Sequence, residues 1–200
     1  MNGKFFDLKK EKQDRMINAA LKIFAIEGYR HASTDEMVKE ACISKGLLFH
    51  YFESKLGVYT FVYDYSVRYM QLELSTEVSQ NERDIFELMK QTERARMHAM
   101  RGYPYMQQFL NRSYSENVSE ALIAVEDKKN ELEATYDKIW QQADYSSFPP
   151  SVDGEKLRQL MELTIKGIMA ERFQDASFQP DMLYEEIVDY LNMIKQLTKR

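Results

Sequence analysis

The chain is poor in the residues that punctuate β-structure. Its 200 residues include seven Gly and four Pro, whereas an all-β fold calls for a turn signal roughly every 8–12 residues. A lone cysteine, Cys42, excludes an internal disulfide framework and a zinc site built from several thiolates. It also suits a reducing compartment. No apolar run approaches the roughly 20 residues of a membrane span, and the N-terminus lacks the basic–apolar–small order of a signal peptide. These absences lead us to expect a cytoplasmic protein with no membrane partner. A Gly-rich phosphate loop, a nucleophile elbow, paired metal-ligating helix residues and a Cys–His arrangement are all missing. We therefore expect no enzyme, no cofactor and no metal.

What is present reads as globular: 44% of residues are apolar and 30% charged. The net charge of −5 argues against nucleic acid only if the charge is spread evenly, and it is not. Residues 1–60 carry ten Lys/Arg against eight Asp/Glu, and the remainder carries seventeen against twenty-four. A local basic face, not the whole-chain sum, decides affinity for phosphate.

Helical periodicity runs along the whole chain. A first helix is expected at about Lys9–Glu27, with an Ile17, Leu21, Phe24 stripe and Gly28 as its stop. Two short helices follow at about Thr34–Ala41 and Lys45–Tyr51, then a long one from Lys55. Further helices are expected at about Glu82–Met100, Pro104–Arg112 with a first-turn proline, Val118–Gln142 and Glu155–Phe173 behind an Asp153 cap. A last helix follows Pro180. The expected fold is all-α with about nine helices: a three-helix unit over residues 1–54, then a larger bundle over 55–200.

The informative stretch lies between Gly28 and Lys55. Ser33-Thr34-Asp35-Glu36 has the form of a capping box. Ser44 stands as the N-cap of the next helix. Two short helices joined by a tight turn at Cys42-Ile43 describe a helix-turn-helix, whose second helix enters a major groove. Leu48 and Phe52, four apart, point into the core, which sets Lys45, Leu47, His50 and Tyr51 on other faces. An ammonium at the helix start and a phenol near its end suit phosphates on either side of a groove. Leu47 suits thymine methyls, and Gly46 permits close approach. Lys55 opens the following helix, where the dipole disfavours it. That position makes sense beside an anion.

The run Gly28-Tyr29, Ser33-Thr34, Met37-Val38, Ala41-Cys42-Ile43-Ser44-Lys45-Gly46, Leu48-Phe49-His50-Tyr51-Phe52 and Ser54-Lys55 resembles the signature of the TetR family of bacterial transcriptional regulators, in a resemblance that covers about 45 residues without gaps, from the first helix to the start of the fourth. The resemblance implies that Ser33 and Thr34 meet backbone phosphate. It implies that Lys45, Gly46 and Leu47 open the recognition helix and face bases, that Phe49, His50 and Tyr51 lie against backbone and bases, and that Lys55 binds phosphate; Ser44, the cap of that helix, is counted with the expected DNA contacts. Two positions depart from the family's usual pattern. Cys42 stands where Gly is usual, so a left-handed backbone there is strained. Phe49 stands where Tyr is common, which removes a hydroxyl.

The resemblance further implies a homodimer that binds operator DNA through residues 1–54 and a small-molecule effector through residues 55–200. It implies a repressor released by a small apolar or amphipathic ligand. The alternative is a DNA-binding regulator without an effector, constitutive or partner-controlled, an activator among the options. Candidates to line an effector cavity are Tyr63, Met70, Met89, Met97, Met100, Tyr103, Met106, Phe109, Tyr136, Trp140 and Met169, since Met adapts to ligands and Tyr or Trp adds a polar handle. At helical spacing the same residues also make ordinary core. Glu93, Glu162 and Glu171, if inward-facing, favour a cationic ligand. His98 has no second His or Cys near it in sequence. Leu160, Gly167, Ile168, Leu183, Ile187, Leu191 and Ile194 are the expected dimer interface.

Overall fold

A computed structural model describes residues 3–175 and 177–198. Among the described residues the protein is all-α. A 3-10 turn at Gly3–Asp7 leads into nine α-helices: α1 (Lys10–His31), α2 (Thr34–Glu40), α3 (Lys45–Phe52), α4 (Lys55–Glu77), α5 (Ile85–Gly102), α6 (Met106–Ser113), α7 (Ser119–Trp140), α8 (Gly154–Arg172) and α9 (Pro180–Leu197). None of them is long and apolar enough to cross a membrane. The chain divides into two compact units, Met1–Tyr69 with Gly102–Glu133 and Met70–Arg101 with Ala134–Arg200.

In the first unit, α1 buries Ile17, Leu21 and Phe24 along one stripe. Gly28 was expected to end this helix. It does leave helical geometry, with φ at 69°, but the chain resumes and reaches His31. Glycine suits the position on two counts: the left-handed φ favours it, and there is little room for a side chain. A Cβ at Gly28 would press to 3.3 Å from the Arg112 guanidinium. Helix α2 buries Met37, with Ala41 beneath its end. Ser33 is its N-cap but makes no capping hydrogen bond, so the expected capping box does not form. Pro104 was expected in the first turn of α6; it lies instead in the turn before Met106.

The 3-10 turn has no counterpart in the sequence reading. It drives Phe5, fully buried, against the underside of α3, with ring centroids 5.7 Å from Tyr51 and 5.2 Å from Phe52. This corrects the placement of Tyr51 off the core face. Leu48, Tyr51 and Phe52 stand at i, i+3 and i+4, one helical face, and all three are buried.

In the second unit, Asp153 caps α8 as expected, accepting from the Glu155 and Lys156 N–H groups at 3.1 Å each. The core joins Ile85, Phe86, Met89 and Met100 of α5 to Leu157, Met161, Ile165 and Ile168 of α8. It also takes in Leu183, Ile187, Leu191 and Ile194 of α9. This corrects the expected dimer interface. Ile187 and Leu191 are each 1% exposed, so they fill their own unit and offer a partner nothing. Of the residues expected there, Leu160 is exposed and Gly167 faces open space.

Candidate nucleic-acid interface

The helix-turn-helix is built by local geometry. The α2–α3 turn is closed by Cys42 N–H and Ile43 N–H, which donate to Lys39 O at 3.2 Å and Val38 O at 3.0 Å. Cys42 adopts φ of 53°, the left-handed conformation that disfavours a side chain. The strain anticipated from Cys-for-Gly is therefore present. Ser44 caps α3 through its Oγ, which accepts from Leu47 N–H at 3.2 Å.

With Leu48, Tyr51 and Phe52 facing the core, the outer side of α3 carries exposed Ser44, Lys45, Gly46 and His50 and half-buried Leu47 and Phe49. No atom stands within 4 Å of a Cβ built on Gly46. Its bareness serves no internal packing; it leaves the first turn of α3 open to an outside surface. Lys45 Nζ lies 2.8 Å from Asp35 Oδ1. That pair is well exposed and worth little, so a phosphate can compete for the ammonium. Ser33 and Thr34 are half-buried at the start of α2.

Lys55 has a different set of partners from the expected anion. Its Nζ donates to the carbonyls of Tyr29 at 2.9 Å, Arg30 at 3.3 Å and Ala32 at 3.4 Å. It also lies 4.7 Å from the centre of the Tyr29 ring. An ammonium has three hydrogens, and three carbonyls meet them. These oxygens are orphans at the end of α1, and their negative dipole end answers the lysine that α4's own N-terminus disfavours.

The same turn of α1 is held from another side. Tyr29 N–H donates to Glu116 Oε2 at 2.9 Å, and Tyr29 OH donates to Glu120 Oε1 at 2.7 Å. Glu116 Oε1 accepts from Asn117 N–H at 2.9 Å and Val118 N–H at 3.1 Å, ahead of α7. Burial works to raise the Glu116 carboxyl, but these three backbone donors outweigh it and hold the group below the ordinary carboxylate value.

Gly57, which the sequence reading passed over, fixes the approach of α4 to α3. A Cβ there would overlap the Phe52 carbonyl oxygen and lie 3.0 Å from its carbon. Gly57→Ala must push α3 away. The expected cost is at least about 2 kcal/mol, measured as the fall in urea midpoint at unchanged slope. A glycine in the first turn of a helix, where propensity opposes it, is the signal that could have marked the position.

The other candidate residues divide between the units. Tyr63, Tyr103, Met106 and Phe109 lie buried in the first. There Tyr103 OH donates to Asp14 Oδ1 at 2.7 Å and stands 2.5 Å from Tyr65 OH. Met70, Met89, Met97, Met100, Tyr136, Trp140 and Met169 lie in the second. Glu93 is buried, Glu162 half-buried beside Arg158, and Glu171 exposed. His98 Nδ1 sits 3.2 Å from Glu77 Oε1. Among the described residues no group of three or more His, Cys, Asp or Glu side chains could hold a metal ion.

Residues 16–59 match the family model of the bacterial regulatory proteins of the tetR family. An HTH-type transcriptional regulator of Bacillus subtilis (strain 168), YuxN, is 44% identical over 59 residues, 28% of this chain and 20% of that protein. The match thus spans about a fifth of the curated relative. A TetR family transcriptional regulator from Chloroflexus aurantiacus J-10-FL has the same fold, with TM-score 0.66 at 19% identity over 98% of this chain and 93% of that one. The fatty acid degradation regulator FadR from Bacillus halodurans superposes with TM-score 0.59 at 19% identity, over 89% and 96% of the two chains.

Proposed function

We propose, from the premise that this chain carries the tetR-family DNA-binding segment on the fold of that family's solved members, that it is a sequence-specific transcriptional regulator. In this reading residues 1–54 bind DNA and residues 55–200 hold an effector and pair two copies. The observation that carries it is the outer side of α3. A capped helix, rigid below through Leu48, Tyr51 and Phe52, presents Lys45, Leu47 and His50 around a bare Gly46.

Two copies would set two such helices on half-sites about one DNA turn apart, or a multiple of that. The protein would act as a repressor, blocking transcription where it sits. A small apolar or amphipathic ligand would favour a conformation whose recognition helices no longer match the half-sites. By linkage, operator DNA must weaken ligand binding by the same factor. Helix α4 is suited to the coupling because its residues up to Tyr69 belong to the first unit and those from Met70 on to the second.

Two substitutions test the division of labour. Lys45→Ala is expected to weaken binding to every duplex and to lower the slope of log affinity against log salt by about one unit. Leu47→Ala is expected to change preference at one or two base pairs and leave that slope alone. Fluorescence anisotropy on a panel of single-base operator variants reads both. Identical behaviour of the two mutants would remove the assignment.

A further inference from the structure

We infer that the second unit holds a site for an organic cation, whose protonated amine meets the free oxygen of Glu93 while its apolar body lies among the methionines of α5 near Trp140. The inference rests on the effector reading above and names the class of ligand.

Glu93 is 2% exposed. Its Oε1 accepts from Arg96 at 2.5 Å, but its Oε2 is buried with no hydrogen-bonding partner. A carboxylate oxygen without a donor is an expensive thing to bury. The surroundings are charged and aromatic. Arg96 lies 5.0 Å from the centre of the Tyr136 ring and donates to its hydroxyl at 3.3 Å. Tyr136 in turn stacks on Trp140, with centroids 6.4 Å apart and planes 12° apart. From α8, Arg158 binds both Glu155 and Glu162, and Glu162 acts on Glu93 and Arg96 alike. Glu93 and Glu162 thus share the guanidiniums of Arg96 and Arg158, and Arg158 is shared again with the exposed Glu155. Burial pushes the Glu93 carboxyl up, against the pull of the Arg96 guanidinium. The Tyr145 hydroxyl, which feels Glu155, Arg158 and Glu162, is a second buried oxygen without a partner.

A protonated amine supplies the donor that Oε2 lacks and makes that bond charge-assisted. A neutral alcohol supplies the donor without the charge, and an anion adds a second negative group beside Oε2. Room for the apolar body comes from side chains that repack easily. Met89 and Met97 flank Glu93 one turn away on either side, and Met100 lies two turns on; methionine changes shape at little cost.

The test uses Trp140, the chain's single tryptophan, as its own reporter and needs no DNA. The probes are 2-cyclohexylethylamine, 2-cyclohexylethanol and 3-cyclohexylpropanoate, titrated into the full chain and followed by tryptophan emission. The amine is expected to bind about tenfold tighter than the alcohol, as one charge-assisted hydrogen bond warrants, with the carboxylate weakest. Glu93→Gln should erase that preference while leaving the alcohol within about twofold. If Glu93→Gln melts well below the parent protein, Glu162→Gln at the half-exposed side of the cluster decides, and it should weaken the amine and not the alcohol. Equal binding of amine and alcohol, an amine preference that survives these variants, or no response of Trp140 to any probe overturns the inference. A protein that binds the amine but no DNA contradicts the regulator reading alone, and one that binds DNA but not the amine contradicts this inference alone.

Discussion

Lys55→Met lowers the melting temperature by roughly 4–8 °C, the shift for a loss of about 2 kcal/mol in a chain of this size, and leaves the salt slope of operator binding unchanged. Methionine keeps the aliphatic stem and removes the ammonium. The three carbonyls of Tyr29, Arg30 and Ala32 then lose the donor that closes the end of α1. Hydrogen bonds from a charged group are each worth about 1.5–3 kcal/mol net, and these three share one ammonium, so the loss falls toward the low end. The helix dipole adds in the same direction, because the positive charge sits at the C-terminal end of α1. A phosphate contact would behave otherwise. Its removal would lower the slope by about one unit and leave the melting temperature nearly alone. Thermal unfolding by circular dichroism, paired with anisotropy at several salt concentrations, separates the two outcomes.

Leu160→Glu combined with Met193→Glu yields a monomer that keeps its helical content and loses at least about a hundredfold in operator affinity, since each half-site then binds alone. Leu160 and Leu163 on α8, and Met182, Tyr190, Met193 and Leu197 on α9, are all exposed. On α9 these residues recur at one face, 182, 190, 193 and 197. A monomer rarely leaves such a large apolar patch bare, and two copies related by a two-fold axis would cover it. Ile187→Glu serves as the contrast. It places a carboxylate in the core of its own unit, which costs several kcal/mol, so it unfolds the protein before it tests any interface. Sedimentation velocity of the surface double variant, with anisotropy on the same samples, gives the answer. A dimer with parental operator affinity would contradict the proposed pairing surface.

These two cases also mark where the sequence was legible and where it was not. The helix-turn-helix could be read because its signals are local. Ser44 caps the helix it precedes, Cys42 occupies a turn that requires left-handed geometry, and Asp153 caps α8 within three residues of itself. Lys55 could not be read, since its partners lie 23 to 26 residues earlier and a charged group at a helix start has no local reason to choose carbonyls over phosphate. Tyr51 was misplaced because Phe5, the residue that covers it, comes from a five-residue 3-10 turn too short to leave a periodic pattern. The interface residues of α9 were misread for a related reason. The stripe of Leu183, Ile187, Leu191 and Ile194 is apolar whichever surface it meets, and periodicity names a face without naming its partner. Glu93 shows the reverse. Its inward direction could be suspected from the sequence, but its unpartnered oxygen is a property of packing alone.

The central claim, that α3 reads DNA sequence, is tested most directly by selecting duplexes from a randomised pool with the ligand-stripped protein. The best duplex is then compared with its scrambled version by anisotropy at two salt concentrations. The account predicts an enriched, roughly two-fold symmetric sequence bound about 10³-fold or more tighter than the scrambled one, with both affinities falling as salt rises. No enrichment, with equal affinity for both duplexes, would contradict it.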